Sequence, residues 1–493
     1  MSEHSSRPAL SPEERGNLRS NTIGLPGVLF QSITTMAPAS AVAFSLAAAI
    51  PAAGGALPLA TIIALIVCVL VALNIGALAK YLPSAGGYFT YVSRGLGPQA
   101  GWMVGWLFNL AYLLIVPFQL LVLGPVADSF CVQYFHLSLG WVPWVVIFAV
   151  VIFLLTSFGI KISADVGVIL GCIEIAVFVL LSLWLIVVSG SKNTFAVFTP
   201  TYSLQAGLGG WQGVLFGMLF VFTAFSGFES AAPLAEESRN PRQIVPRAMI
   251  LAPICIGIFY VLCSYAGVVS WGVEKLAGYT NDPNPWATLA HGVWGPFSFI
   301  VILTILNSAL ANSNAGVNAV TRVLYAMGRT RTLPAFLARL NRYQIPDIAA
   351  FITMVVAVIV AIWSGVAFGP FPGAFSFVGA VLTIPILLVY IATCAAVPFF
   401  YRREHRDELS IVRHVIVPIL PLFVLLCVLY FQFSPLPAAP LLYAGPIVLV
   451  WLVLGLIIVI LLSLRAPATL AQASRIYVEE EETHASSHPV LPS

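Results

Sequence analysis

Residues 225–232 read Phe-Ser-Gly-Phe-Glu-Ser-Ala-Ala and lie in the middle of an apolar segment that is long enough to cross a membrane. The pair Ser226-Gly227 predicts a break in a helix, which leaves backbone groups free to bind a solute. Next to this break stands a single carboxylate, Glu229. A charged side chain at bilayer depth costs about 2.5–3.5 kcal/mol on insertion scales, so it is retained mainly where it faces a protein cavity or water. A discontinuous membrane helix with an acid at its break is typical of transporters.

The composition of the whole chain indicates a membrane protein. Of its 493 residues, 60% are hydrophobic and 8% are charged, whereas about 25% of the residues of a soluble domain are charged. Apolar runs of about 20 residues recur along the chain, and each is long enough to cross a hydrocarbon core of about 30 Å. This composition excludes a soluble multi-domain protein and predicts an all-α integral membrane protein in a lipid bilayer.

The apolar runs predict about twelve transmembrane spans. They cover residues 27–50, 57–79, 101–125, 141–159, 166–189, 210–234, 246–271, 297–321, 347–368, 373–400, 412–433 and 439–464. Spans one to five form a first half, 27–189, and spans six to ten form a second half, 210–400. Two additional helices follow in 412–464. Because each half has an odd number of spans, the second half starts on the opposite side of the membrane, as in an inverted repeat.

The basic residues predict the orientation of the chain. Of the 22 Lys and Arg residues, all but Lys192 and Lys275 lie on one side if the N-terminus is cytoplasmic. The positive-inside rule therefore places both termini in the cytoplasm of a multi-pass protein of the cell membrane. The basic surface reflects this topology and does not indicate a nucleic-acid site. Segment 1–26 lacks the pattern of a cleaved signal peptide, and the tail 465–493 is predicted to be disordered.

Cysteine spacing and short motifs exclude several kinds of site. The seven cysteines have neither metal-ligand spacing nor paired extracellular positions, so we expect no metal site and no disulfide framework. No nucleophile-elbow, phosphate-loop, zinc or dinucleotide motif occurs in a suitable context. The sequence therefore predicts neither an enzyme nor a bound cofactor.

Span one contains a second candidate break. Residues 34–41, Thr-Thr-Met-Ala-Pro-Ala-Ser-Ala, place a proline and small polar residues in an apolar helix. Proline lacks an amide donor and clashes with the preceding turn, so it kinks or breaks a helix. In inverted repeats of this kind the first helix of each half is discontinuous, and the solute binds between the two breaks at the midplane. The sequence therefore predicts a solute site lined by Ser40, Phe225, Ser226, Gly227 and Phe228.

Three groups of segments carry a resemblance to a known family. Pro-Ser-Ala-Gly-Gly-Tyr at residues 83–88 and Arg-Gly-Leu-Gly-Pro at residues 94–98 form the loop between spans two and three. Gly-Phe-Glu at residues 227–229 is followed by Glu236-Glu237 and by Asn-Pro-Arg at residues 240–242. The third group, at the end of span eight, combines Asn-Ala at residues 314–315 with a basic segment at residues 322–329. Together they resemble the amino acid–polyamine–organocation transporter family, which has the leucine-transporter-type fold.

The resemblance implies a secondary active transporter that imports an amino acid, driven by protons, through alternating access. The family's typical Gly-Ser-Gly break corresponds here to Ala39-Ser40-Ala41, preceded by Pro38. Free amides at the adjoining helix end would bind a substrate carboxylate. The loss of the usual glycines leaves two alternatives open: either the carboxylate is bound in another way, or the solute has none.

The resemblance also implies roles for span six. Carbonyl groups near Ala224 and Phe225 would receive the amino group of the solute, and Phe225 or Phe228 would close over it. The full set of residues expected around the solute is Pro38, Ala39, Ser40, Ala41, Tyr112, Ala224, Phe225, Ser226, Gly227 and Phe228.

Two carboxylates lie deep inside apolar spans and are candidates for ion coupling. Glu229 opens the second half of span six, where the helix dipole favours its ionised form and burial favours its protonated form. The resemblance associates this position with proton coupling, so we expect a proton in preference to sodium. Glu174 lies in span five, where several proton-coupled relatives carry a lysine. It would bind a proton, a cation or a cationic solute, or form only a structural hydrogen bond.

Span eight carries a third set of candidates, the polar residues Asn307, Ser308, Asn312, Ser313, Asn314 and Asn318. Such polarity either holds helices together or lines an ion or solute path, and we assign Asn312 to coupling. Asn109, Tyr112 and Gln119 of span three are further candidates. His291 is expected to be an ordinary surface residue.

Two other kinds of function stay open. A carrier of polyamines or other organic cations would suit two acids near a pocket without basic side chains. A different class is an amine-responsive receptor or a channel. Two broken helices in inverted halves argue against a channel, and neither terminus has the length of a folded signalling domain. The sequence predicts no particular oligomeric state.

Overall fold

The structure is a computed structural model that describes residues 23–84, 86–157, 164–341 and 344–471. In these ranges the regular secondary structure is helical, apart from one isolated bridge between Ile23 and Ser238. Ten helical runs are long and apolar enough to cross a membrane. The first, Leu25–Ala79, has 55 residues and supplies two crossings, and the helix Trp141–Ser157 adds a shorter one. The described residues thus hold about twelve spans, which confirms the prediction of an all-α membrane protein.

The spans follow in the predicted order. Spans one to six are Leu25–Thr35 with residues 38–53, Leu57–Ala79, Pro98–Leu113 with Ile115–Phe135, Trp141–Ser157, Ala164–Ser189, and Trp211–Phe225 with Phe228–Glu237. Spans seven to twelve are Pro241–Trp271, Phe299–Arg329, Asp347–Phe368, Phe375–Glu404, Val417–Phe433 and Ala444–Arg465. Short helices in the connections are Tyr88–Leu96, Leu276–Asn281 and Pro285–Trp294.

Some boundaries differ from the predicted ones. Spans three and eight extend to Phe135 and Arg329, beyond the predicted ends at 125 and 321, because each helix continues through less apolar residues after the hydrophobic run. The division into halves at 27–189 and 210–400 stays a prediction. The predicted N-terminal segment up to residue 22 and the tail beyond residue 471 lie outside the described residues.

Span one breaks at Met36 and Ala37, between Thr35 and Pro38. Ala37 has a left-handed backbone with φ of 48°, and Pro38 begins the second half of the span. Proline is favoured in the first turn of a helix, because an N–H at this position has no helical partner to lose. Residues 39–41, which the resemblance places in the break, are therefore helical instead.

Span six breaks at Ser226 and Gly227, where the sequence predicts it. The α-helical part ends at Phe225, Gly227 has φ of 127°, and Phe228–Glu237 continues as a 3₁₀-helix. The two breaks lie side by side, since Ser32 Oγ donates to the Phe228 carbonyl oxygen at 2.8 Å.

The two ends of the bundle can be distinguished by their loops. Lys80, after span two, lies 3.5 Å from Glu408, after span ten, and we call this end the Lys80 face. At the opposite end, one cavity is lined by Gln133 at the end of span three and by Asp282 and Pro370 from the connections after spans seven and nine, and we call this end the Asp282 face. Loops after even-numbered and odd-numbered spans thus lie at opposite ends, as successive membrane crossings require.

Candidate functional site

A small cavity lies between the two breaks, where the sequence predicts the solute site. Its volume is about 20 Å³, which is room for about one water molecule. The lining residues are Thr35, Met36, Ala37, Ala41, Ser45, Ile115, Phe118, Gln119, Thr223, Ser226, Asn312 and Leu382. Of the predicted site residues, Ala41, Ser226 and Asn312 line this central cavity, and so does Gln119, one of the further candidates. Side chains and backbone therefore fill almost all of the space between the two breaks, and the structure is closed around the central cavity.

Two predicted aromatic residues point away from the central cavity. The ring of Phe225 packs edge-on against Tyr260, with the ring centroids 5.3 Å apart. The ring of Phe228 lies 5.5 Å from that of Tyr390. In this closed arrangement both rings pack against these tyrosines, and neither ring lines the central cavity.

The predicted residues at the start of the second half of span one are buried in its first turn. Pro38 is buried, and Ala39 and Ser40 have at most 2% of their surface exposed. Ser40 Oγ donates to Gln119 Oε1 at 2.9 Å. This bond orients the amide of Gln119, which lines the central cavity.

The carbonyl groups that end the first half of each broken span are held by side chains from two other spans. The last carbonyl groups of a helix have no partner within it. Tyr260 Oη, from span seven, donates to the carbonyl oxygens of Met36 at 2.6 Å and of Ala224 at 3.0 Å. Asn312 Nδ2, from span eight, donates to the Thr35 carbonyl oxygen. One tyrosine therefore bridges the two breaks.

Glu229 lies at the start of the second half of span six, and its hydrogen bonds connect three spans. Its side chain is fully buried. Oε2 accepts from the Gly227 amide at 3.0 Å and from Tyr390 Oη at 2.9 Å, and Oε1 accepts from Tyr112 Oη at 2.9 Å. A carboxylate near a helix N-terminus is stabilised by the dipole and the free amides there. Spans three, six and ten are thus tied together through a single titratable group.

Glu174 forms a second buried polar cluster, between spans one, five and eight. Its side chain is 3% exposed. Oε2 accepts from Asn307 Nδ2 at 3.0 Å and Oε1 accepts from Ser308 Oγ at 3.2 Å. Glu174 lines a cavity of about 260 Å³ that follows the first half of span one past Gln31.

The polar residues of span eight serve different contacts. Asn307 and Ser308 bind Glu174, and Asn312 binds the first break. Asn314 Oδ1 accepts from Thr156 Oγ1 of span four at 2.9 Å. One helix therefore contributes both to the site and to the packing of its neighbours.

A cluster of four phenylalanines separates the central cavity from a larger one at the Asp282 face. The larger cavity has a volume of about 440 Å³ and is lined by Phe44, Phe371 and His291 among others. Phe44 lies 5.1 Å from Phe371 and 5.9 Å from Phe375, and Phe375 stacks on Phe118 at 4.0 Å. Phe118 in turn lines the central cavity, so this phenylalanine cluster closes the path between the two spaces.

Sequence reasoning missed several residues of the site. Tyr260, Tyr390, Thr223 and Phe44 each touch a break, an acid or a cavity. A signal for the two tyrosines exists in principle, because a buried phenol in an apolar span needs a hydrogen-bond partner. The identity of that partner depends on contacts between distant spans.

Comparison with known proteins identifies the family of this chain. The family model described as amino acid permease matches residues 27–471. The chain belongs to the amino acid permease family. The resemblance to the amino acid–polyamine–organocation transporters is therefore confirmed, and the chain is a membrane transporter by family and not an enzyme.

Curated relatives of this permease carry the names of several solutes. The branched-chain amino acid permease BcaP of Lactococcus lactis subsp. cremoris is 25% identical over 82% of this chain and 86% of the relative. The amino-acid permease RocC of Bacillus subtilis is 26% identical over 58% of this chain and 61% of the relative. The low-affinity putrescine importer PlaP of Escherichia coli is 25% identical over 57% of this chain and 61% of the relative.

A solved structure shares the fold. The crystal structure of a manganese transporter from Eremococcus coleocola superimposes with a TM-score of 0.56 and covers 94% of this chain and 100% of that chain. Its sequence is 12% identical, so the likeness concerns the fold alone.

Proposed function

We propose that this permease is a proton-coupled importer in the cell membrane that carries a small solute with a protonated amino group by alternating access. A protonated amino group is what amino acids and putrescine, named for the relatives, have in common at neutral pH. The observation that carries the proposal is a closed cavity between two helix breaks. The hydrogen bonds of Glu229 with Tyr112 and Tyr390 close this cavity on one side. The phenylalanine cluster closes it on the other side. The different-class alternatives, a receptor or a channel, need no such cavity.

Alternating access follows from these two closures. The Tyr112–Glu229–Tyr390 contacts tie spans three, six and ten together on one side of the break. The phenylalanine cluster blocks the path to the Asp282 face. Opening the cluster admits a solute from that face, and breaking the Glu229 contacts releases it toward the Lys80 face. By the positive-inside rule the Lys80 face is cytoplasmic, so this direction is import.

Glu229 is the group that couples these movements to protons. When it is ionised, the two oxygens accept three hydrogen bonds. A protonated carboxyl group becomes a donor at one oxygen and loses acceptor capacity there. Proton binding therefore weakens the closure on the side of spans three and ten. Asn312 is proposed to take part because it holds the end of the first half of span one.

The proposal is tested by uptake of radiolabelled branched-chain amino acids and putrescine into proteoliposomes under an imposed proton gradient. Wild-type protein accumulates solute with potassium in place of sodium, and a protonophore abolishes the accumulation. In Glu229→Gln, which keeps one acceptor and cannot ionise, gradient-driven accumulation falls at least tenfold while solute exchange without a gradient persists. The matched control is Glu274→Gln, which changes an exposed glutamate far from the breaks. We expect this variant to accumulate solute normally.

Three results would contradict the proposal. Strict dependence on sodium excludes the proton as coupling ion. Normal accumulation in Glu229→Gln removes the assigned role of that residue. Absence of counterflow, in which internal unlabelled solute drives entry of labelled solute, favours a channel or a receptor over a carrier.

A further inference from the structure

A cavity of about 490 Å³ lies at the Lys80 face, between the ends of spans two and ten, the start of span seven and the connecting helix Tyr88–Leu96. We call it the basic cavity. It shares no lining residue with the central cavity. We infer that the basic cavity binds the phosphate headgroup of an anionic phospholipid. This inference goes beyond the proposed function, because it concerns a lipid and not the transported solute.

Basic side chains from three elements converge on the basic cavity. Lys80 follows the last residue of span two, and Arg94 lies in the last turn of the connecting helix. Arg242 lies in the first turn of span seven. Among the described residues of the lining, Glu404 is the one acidic residue. Three cations therefore face one carboxylate, and this balance of charge favours an anionic ligand.

Neighbouring side chains hold two of these cations at the cavity. Lys80 Nζ donates to Tyr81 Oη at 2.7 Å and lies 4.6 Å from the centre of the same ring. The ring of Tyr81 in turn lies 3.9 Å from that of His405. Arg94 Nε donates to Glu404 Oε1 at 2.9 Å, which fixes the plane of the guanidinium group. A guanidinium group has five donors in a rigid fork that matches phosphate oxygens.

The acid beside Lys80 is a weak competitor for this cation. Glu408 lies 3.5 Å from Lys80 Nζ, and the two side chains are 53% and 55% exposed. Such an exposed ion pair contributes little, because water and salt screen it. Lys80 can therefore exchange this partner for a phosphate oxygen at small cost.

Exposed apolar residues place the basic cavity at the depth of lipid headgroups. Phe399, next to the lining residue Phe400 on span ten, is 47% exposed. Ile411 and Val412, which follow Glu408 at the start of span eleven, are 71% and 60% exposed. Apolar side chains that are exposed on membrane spans face lipid chains, and Lys and Arg at the helix ends reach the headgroup region. A phosphate at this depth belongs to a phospholipid.

The predicted orientation of the chain agrees with this ligand. The positive-inside rule predicts that the Lys80 face is cytoplasmic. The cytoplasmic leaflet carries anionic lipids, and basic pockets between membrane helices on that side bind their headgroups. One phosphate that contacts Lys80, Arg94 and Arg242 would also connect span two, the connecting helix and span seven. Bound lipid should therefore stabilise the fold.

The experiment measures lipid binding to delipidated full-length protein in detergent, by native mass spectrometry and by thermal unfolding. It compares phosphatidylglycerol, phosphatidylcholine with the same acyl chains, and inorganic phosphate. We expect phosphatidylglycerol to bind more tightly than phosphatidylcholine and to raise the unfolding temperature, with a smaller effect at high salt. Inorganic phosphate at the same concentration should have little effect, because it lacks the acyl chains that hold a lipid at this depth.

Variants then locate the binding site. Lys80→Gln and Arg242→Gln should each weaken the binding of phosphatidylglycerol about fivefold, which corresponds to about 1 kcal/mol for one cation near an anionic membrane surface. Both side chains are exposed, so these variants are expected to fold. The matched control is Arg339→Gln, which removes an exposed cation after span eight, outside the basic cavity, and should leave the affinity unchanged.

Four results would overturn the inference. Equal binding of the two lipids removes the preference for an anionic headgroup. Equal losses in Arg339→Gln and in the cavity variants indicate general surface charge in place of a site. Equal stabilisation by inorganic phosphate assigns the cavity to a soluble anion. A preference that appears only after residues 479–482, four glutamates, are changed to glutamine assigns the cavity to this acidic tail. Lipid binding is measured without transport, so each of these results leaves the proposed importer standing.

Discussion

Gly227 is the residue at which the two breaks meet. Its φ of 127° lies in a region that side-chain-bearing residues rarely adopt. A Cβ atom on this residue would lie 2.5 Å from the carbonyl carbon and oxygen of Thr35 and 2.8 Å from the Met36 nitrogen. These neighbours are backbone atoms at the end of a helix, so they cannot move aside as a flexible side chain would. The glycine therefore sets the spacing between spans one and six.

We predict that Gly227→Ala abolishes uptake. The added methyl group pushes the Thr35 carbonyl away from Asn312, and backbone strain adds about 1–3 kcal/mol. The matched control is Gly272→Ala, where φ is 101° but nothing lies within 4 Å of the added Cβ. It carries similar strain without the clash and keeps its uptake. Uptake is measured in proteoliposomes at equal amounts of monodisperse protein, and equal rates in the two variants would contradict this account.

Spans three and twelve are joined by a reciprocal pair of tryptophans. Trp106 Nε1 donates to the Trp451 carbonyl oxygen at 2.9 Å, and Trp451 Nε1 donates to the Trp106 carbonyl oxygen at 3.0 Å. The two rings stack 4.1 Å apart. Gly455 makes this possible, because a Cβ there would lie 2.4 Å from the Trp106 ring. This contact attaches the last span to the transport core, away from both breaks.

We predict that Trp451→Phe lowers stability and leaves transport intact. The change removes one hydrogen bond and part of the ring stacking, which together contribute about 1–2 kcal/mol. Thermal unfolding in detergent, followed by size-exclusion chromatography, measures the loss. Trp184→Phe, at a position 54% exposed on span five, is the control with little change. A variant that loses uptake while keeping its thermal stability would show that span twelve takes part in the transport cycle.

At the scale of the whole molecule, the two ends differ in charge and in the spaces that open onto them. The Lys80 face holds the loops after spans two and ten. Lys192 lies at the Asp282 face, because Ser189, just before it, forms a hydrogen bond of 3.0 Å with Ser270 at the end of span seven. The positive-inside rule predicts that the Lys80 face is cytoplasmic, and the proposed direction of import depends on this orientation.

We predict that single cysteines will confirm the orientation in intact cells. With all seven native cysteines replaced by serine, a membrane-impermeant maleimide labels Lys192→Cys from outside and labels Arg406→Cys only after lysis. Both positions are exposed, so access to the reagent depends on the membrane and not on burial. Labelling in the reverse pattern would invert the topology and turn the proposed importer into an exporter.

The sequence by itself determined the spans, both breaks and the two buried acids. These features are local. The length and apolarity of a segment define a membrane crossing. Ser226-Gly227 and Pro38 change the conformation of their own backbone. A carboxylate in an apolar run can be recognised from the sequence alone, whatever its neighbours in the fold. The exact position of the first break was not determined, since Pro38 either interrupts a helix or begins one.

Only the tertiary structure decided which residues complete the site. Glu229 binds Tyr112 and Tyr390, which are 117 and 161 positions away in the chain, and Tyr260 bridges breaks in two other spans. Spans that are apolar on all sides carry no stripe that shows which face turns inward. The rotation of each helix about its axis is set by packing against its neighbours, and this rotation determines which buried polar group meets which partner.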